Sequence, residues 1–223
     1  MKDIVIFGAD IMAKMIHFYF SRDLKSKVVA FTVDRKYLKG ETMFMDLPLI
    51  PFEEIEKKYP SDLYEIFIAI GPSKMNSNRE LKFNEVKQKG YEMVRYISPY
   101  AVCDSDVGEN TFIGDMAVIN PFVEIGCNNL FWENTFIGND SVIGNHCFFA
   151  PKCVVSTYSR IEDNVVLGTG SIVKTSVKVA KKTLVGAASY ISDDTLENGV
   201  YGEKNSQYYG NISEKINISS VKK

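Results

Sequence analysis

The chain of 223 residues carries only two histidines, four cysteines and one tryptophan, and these scarcities exclude several chemistries. His17 and His146 cannot supply the three ligands of a three-histidine catalytic zinc site, and no other zinc motif is present. Cys103, Cys127, Cys147 and Cys153 show no C-x-x-C spacing, so they read as reduced thiols of a cytoplasmic protein. No apolar run approaches the roughly 18 residues of a membrane span. Met-Lys-Asp followed by Ile4–Phe7 lacks the apolar core of a signal peptide. With 26 Lys plus Arg against 28 Asp plus Glu and no basic block, a dedicated nucleic-acid surface is not expected. The remaining composition, 45% hydrophobic, is that of an ordinary globular chain and argues against disorder.

Up to residue 98, short apolar runs alternate with amphipathic stretches, as in a parallel α/β unit. Ile4–Phe7 reads as a strand ending at Gly8. Ile11, Met15 and Tyr19, with Met12, Ile16 and Phe20, recur at i, i+4 and predict a helix from about Asp10. Lys27–Val33 reads as a second strand ending in Asp34. Pro51 opens a short acidic helix with Glu53, Glu54 and Glu56 in its first turns. Glu65–Ile70 reads as a third strand, closed by Gly71-Pro72. A lysine-rich helix follows to about Lys89 with Gly90 as C-cap, and Met93–Ile97 reads as a fourth strand.

From Val107 the period changes to six and does not slip. Val107, Ile113, Ile119, Ile125, Phe131, Ile137, Ile143, Phe149, Val155, Ile161, Leu167, Val173, Val179, Val185 and Ile191 are all large and apolar. If about a third of residues qualify, the odds of such a run are on the order of one in 10⁷. Small residues such as Thr111, Ser141, Cys147, Cys153 and Ser171 stand two places before, and Gly108, Gly138, Gly144, Gly168 and Gly186 directly after. A hexapeptide period of this kind is the signature of a parallel β-helix, three hexads to a triangular coil. The glycines are expected to permit an unusual corner backbone. Cys147 and Cys153 fall on small-residue positions and read as buried hydrophobes rather than reactive thiols.

The hexads, together with I-F-G-A-D-I-M-A-K (Ile6–Lys14), V-A-F-T-V-D-R (Val29–Arg35), K-G-Y-E-M-V-R-Y-I-S (Lys89–Ser98) and N-P-F-V-E-I-G (Asn120–Gly126), resemble a family of left-handed β-helix sugar acyltransferases. This is the sialic-acid O-acetyltransferase and nucleotide-4-amino-sugar N-acetyltransferase family. The resemblance implies a small Rossmann-like α/β domain (1–98) that binds a nucleotide-sugar. It implies an all-β left-handed β-helix (99–192) that carries out acyl transfer, followed by a partly disordered extension (193–223). It also implies a homotrimer, with acetyl-CoA or another acyl-CoA as co-substrate, a nucleotide-linked amino sugar as acceptor, and a place in bacterial surface-glycan synthesis. The ending G-V-Y-G-E-K-N-S-Q-Y-Y-G (Gly199–Gly210) departs from the family's Gly-x-Pro-Ala.

Gly8-Ala-Asp10 lacks the second and third glycines of a dinucleotide fingerprint, so NAD is not expected. By the resemblance, Gly8, Asp10, Asp34, Arg35, Gly71, Ser73 and Lys74 converge on the nucleotide-sugar at the carboxyl ends of the strands. Asp10, Ile11 and Met12 replace the family's Gly-Gly-His. The acyl-CoA falls to Gly168, Thr169, Gly170, Gly186 and Ala187 as small corner residues, with Lys181 and Lys182 (and Lys174 and Lys178 nearby) neutralising its phosphates. The family's basic histidine and its acidic neighbour align with Asn139 and Asp140. An asparagine accepts no proton in this range, so a hydroxyl acceptor loses its base, whereas an amine keeps its own lone pair. Transfer to an amine is the expected reaction. A second reading stays open: a catalytically reduced relative that binds a nucleotide-sugar or a partner without turnover. His146 reads as a polar corner residue stacked between Asn128 and Asn164, and His17 as a surface or packing residue.

Overall fold

A computed structural model describes residues 2–202. Chain after 202, including most of the predicted C-terminal extension, lies outside the described residues. The first part is a sheet in the order β3-β4-β2-β1-β5. Its strands are β1 (Asp3–Phe7), β2 (Val28–Val33), β3 (Met43–Phe44), β4 (Leu47–Pro51) and β5 (Tyr64–Ile68). All pair in parallel except the β3–β4 hairpin. β4 was not legible in the sequence because Pro48 and Pro51 interrupt it, which its place near the sheet edge tolerates.

Helix α1 (Ile11–Asp23) starts where Asp10 accepts hydrogen bonds from the Met12 and Ala13 amides at 2.9 and 3.2 Å. Such a cap stabilises by about 1 kcal/mol. Ala13, Ile16, Tyr19 and Phe20 bury its inner face. A short α2 (Ile55–Lys58) follows Pro51, and α3 (Ser77–Gln88) precedes Gly90, whose φ of +76° ends the helix.

The second part is the β-helix. Two-residue strands recur every hexad and stack in register, so that Phe131 pairs with Phe149 and Phe149 with Leu167. They form three parallel sheets. Sheet I has seven strands from Tyr96–Ile97 to Val200–Tyr201, sheet II six from Val102–Cys103 to Tyr190–Ile191, and sheet III four from Glu124–Ile125 to Lys178–Val179. The hexad residues fill the bore: Ile113, Phe131, Phe149, Leu167 and Val185 of sheet I are fully buried, and Phe131 stacks on Phe149 at 4.4 Å.

Three expectations change. Tyr96–Ile97 pairs with Phe112–Ile113 of the β-helix, and only a single bridge, Met93 to Ile66, joins this segment to the α/β sheet. The β-helix therefore starts before residue 98, because Tyr96 stacks on Phe112 at 5.0 Å and finds its apolar partner there. It also runs past 192, since Val200–Tyr201 adds a strand to sheet I.

The corner glycines also act differently. The left-handed residue of each corner lies three places after the large apolar one, with φ between 54° and 68° at fourteen corners in succession from Asn110 to Ala188. Only Gly170 among these is glycine. Gly138 and Gly168 are instead required by space: a Cβ there would meet the next coil's backbone at 2.6 Å.

The α/β part covers sheet I. Tyr19, Phe20, Tyr96, Phe112, Leu130 and Trp132 form one cluster across the junction. Polar groups lock it: Asn110 bonds both the amide and the carbonyl of Ile68, and Arg22 makes a two-pronged contact with Asp115. Arg79 is fully buried and donates to the carbonyls of Asn128, His146, Cys147 and Ile70. Burial works against its charge, and these carbonyls take the place of solvent.

Candidate active site

The strand order places the carboxyl ends of β1, β2 and β4 side by side, and a cleft of about 1190 Å³ opens there. Gly8 lies in its wall at φ +138°, where a Cβ would meet the Ala69 carbonyl at 2.8 Å, so only glycine lets the chain turn into α1 there. Asp10 and Asp34 also line it. The other four predicted contacts do not. Arg35 turns outward to Glu54 at 2.5 Å, while its amide is held by Glu53. Gly71 approaches Met12, Lys74 is exposed, and Ser73 accepts from Asn78, which does line the cleft.

Asp10 is committed to capping α1, so its carboxylate opposes an anion at that helix end. The cations of the wall come from elsewhere: Lys36, Lys39, Lys82 and Lys89. Sequence reasoning missed all four. Lys82 is the most enclosed, bonded to Asp34 at 2.6 Å and to Glu85.

In the β-helix, position in the eighteen-residue coil decides which vertex a residue occupies. The vertex after sheet I holds 114–116, 132–134, 150–152, 168–170 and 186–188, with Gly168, Thr169, Gly170, Gly186 and Ala187 in its last two coils. The vertex after sheet II holds Asn139 and Asp140. Asn139 donates to Asp140 at 2.5 Å, and Asp140 is exposed. The vertex after sheet III holds His146, Lys181 and Lys182. The lysines therefore stand one sheet away from the glycine corner, and one chain alone does not form the expected CoA patch. Counting hexads modulo three would have found this separation in the sequence.

The α/β part lies on sheet I and bonds its two flanking vertices, through Arg22–Asp115 and Tyr19–Glu133 on one side and Arg79 on the other. Asn139 and Asp140 occupy the opposite vertex, and among the described residues no hydrogen bond or ion pair joins that vertex to the α/β part. His146 is covered by α3, with Phe83 at 5.6 Å and Glu80 at 3.9 Å. It sits between Asn128 and Asn164 in the corner column and cannot reach Asn139. His17 packs against Phe31.

Burial pushes the Cys147 thiol up to about 12 and Cys153 to about 11, so both stay protonated and neither serves as an acyl carrier. No cluster of His, Cys, Asp and Glu suited to a metal occurs among the described residues.

No family model matches the chain. A GDP-perosamine N-acetyltransferase of Escherichia coli O157:H7 is 36% identical over 80 residues, 33% of this chain and 36% of that protein. The match thus spans about a third of the relative's length. PerB from Caulobacter crescentus, solved in complex with CoA and GDP-perosamine, superposes with a TM-score of 0.81 at 21% identity, over 94% of this chain and 98% of that one. The fold is that of the hexapeptide-repeat sugar acyltransferases. WeeI from Acinetobacter baumannii AYE gives a TM-score of 0.78 at 19% identity, over 90% of this chain and 96% of that one. The left-handed β-helix and the preceding α/β part of this acyltransferase fold are thus both present in one chain.

Proposed function

We propose that the protein transfers an acetyl or related acyl group from acyl-CoA to an amino group of a nucleotide-linked sugar, in the cytoplasm, for surface-glycan synthesis. The observation that carries this reading is the pairing of a nucleotide-sized cleft at the strand ends with a β-helix whose candidate corner offers Asn139 and Asp140 but no histidine. In the transfer, the amine nitrogen attacks the thioester carbonyl, the C–N bond forms and the C–S bond breaks. The departing thiolate takes the proton that the nitrogen sheds. Asn139 and Asp140 orient the amine, which already has its lone pair. The proposed roles follow the two parts: nucleotide-sugar at Gly8, Asp34 and the cleft, and acyl-CoA along the Gly168–Gly170 and Gly186–Ala187 corner.

A homotrimer completes the site in this reading. The outward residues of sheet II are Val102, Val118, Phe136, Val154, Ile172 and Tyr190, an unbroken apolar row, with Val102 57%, Ile172 40% and Tyr190 54% exposed. Sheet III turns Glu124, Arg160 and Lys178 outward instead. Burying the sheet II row between copies sets the Asn139 vertex of one against the glycine vertex of the next.

The test is to mix the protein with acetyl-CoA and a panel of nucleotide-linked amino sugars and follow free thiol. Thiol release with one of the amines supports the reading. Tight nucleotide-sugar binding without release from any amine overturns it in favour of a binding module.

A further inference from the structure

We infer that Lys82 is a positioning residue for nucleotide recognition: it holds Asp34 so that the remaining carboxylate oxygen faces the vicinal hydroxyls of a ribose. The inference rests on the nucleotide-sugar reading above and adds the device by which the cleft would read the sugar of the nucleoside.

Lys82 reaches from α3 over the sheet end, and its side chain is 6% exposed. Its Nζ lies 4.7 Å from the centroid of Phe7 and 4.4 Å from that of Phe52, two rings crossed edge to face at 5.2 Å. The remaining directions are filled by Asp34, at 2.6 Å, and Glu85. An ammonium has three donors. Two carboxylates and two ring faces occupy it, and no donor is left for a ligand phosphate. Lys82 therefore acts on the ligand only through what it holds.

Asp10, Asp34, Glu41, Glu53 and Glu85 line the cleft, and of these only Asp34 directly follows a strand of the sheet. Asp10 caps α1, Glu41 accepts from the Lys39 amide, and Glu53 accepts from the Arg35 amide with both oxygens. Asp34 uses only Oδ1, on Lys82, and stands at the carboxyl end of β2. In doubly wound nucleotide-binding sheets a ribose-binding carboxylate occurs at that strand end. The group of one ammonium and two carboxylates is net negative, which suits hydroxyl donors and opposes phosphate. The phosphates then fall to Lys36 and Lys39 farther along the wall.

The experiment titrates GDP and UDP and their 2′-deoxy counterparts by calorimetry into wild type, Lys82→Met, Asp34→Asn and the variant carrying both substitutions. Methionine keeps an apolar stem between Phe7 and Phe52 and removes the charge. Wild type is expected to prefer the ribonucleotide by about 10-fold or more, the discrimination typical of a lost charge-assisted hydrogen bond. K82M should reduce that preference to about 3-fold or less, and the double variant should be no worse than D34N. A K82M protein that keeps the wild-type preference overturns the inference, as does one that weakens ribo- and deoxynucleotides equally. Should K82M fail to fold, D34N decides: it must lose the preference, and retention overturns the inference. Wild type binding both forms equally also overturns it while leaving the nucleotide-sugar reading intact. Wild type binding neither nucleotide overturns that reading and this inference together.

Discussion

Asn128 donates from Nδ2 to Nδ1 of His146 at 2.8 Å, which leaves the ring proton on Nε2. The orientation of Asn128 is fixed in turn by Asn110, whose Nδ2 donates to the Asn128 Oδ1 at 2.7 Å. The corner column thus requires a neutral imidazole, and burial pushes its pKa below 6.5. Arg79 and Lys181 act in the same direction, while Glu80 and Asp163 oppose them.

The sign of the pH effect follows. The unfolded imidazole protonates near its ordinary value of about 6.5, and the folded one only at lower pH. The stability held by neutral His146 is therefore complete above that value and is lost as pH falls toward the depressed one. His146→Asn continues the asparagine column and removes the titration. Thermal melts should show wild type losing more Tm than this variant between about pH 7 and pH 5. Parallel curves would contradict the assignment.

Arg79 ties α3 to two successive coils through the carbonyls of Asn128, His146 and Cys147. Arg79→Met leaves the buried Asn128 and His146 carbonyls without a donor, while Cys147 keeps the Leu130 amide, at a cost of about 3 kcal/mol. For a chain of this size that is a fall in Tm of roughly 6–12 °C. Arg79→Lys should recover only part of it, because one ammonium cannot span the fork. A loss below about 1 kcal/mol for Arg79→Met would mean that Arg79 adds little and that the junction rests on its apolar cluster and the Asn110 and Arg22 contacts.

The apolar row of sheet II makes the oligomer testable without substrate. Light scattering should give three chains for wild type at micromolar concentration. Phe136→Glu with Ile172→Glu should give single chains, since two carboxylates would be buried between copies. A wild-type protein that is monomeric under those conditions would contradict the trimer.

The hexad residues from Val107 to Ile191 were readable because a period of six reports burial directly, and every one sampled in sheets I and II stands in the bore. Gly8, Asp10 and Asp34 were readable for a similar reason: strand ends announce themselves by a drop in hydropathy. Lys82 was not, because its neighbours in a lysine-rich helix look alike until packing chooses which face meets Phe7 and Phe52. Arg35, Lys74 and Ser73 failed as cleft residues because chain position fixes a loop but not the direction of its side chains. The glycines were recognised for the wrong cause. Sequence shows where glycine recurs, but only the distance from Gly168 to the Ala187 amide shows that crowding, not φ, selects it.

The most direct measurement compares acetyl transfer to an amino sugar and to its hydroxyl counterpart on the same nucleotide, for wild type and Asn139→His. With no histidine at the candidate corner, wild type should acylate the amine and leave the hydroxyl untouched. Asn139→His, by adding a base, should gain transfer to the hydroxyl, with a general base contributing about 10²- to 10⁴-fold. Asp140→Asn should slow amine transfer only about 10- to 100-fold if it merely orients the nucleophile. A wild-type protein that binds CoA and nucleotide yet acylates no amine, with an Asn139→His variant that gains nothing on either acceptor, would contradict base-free transfer to an amine.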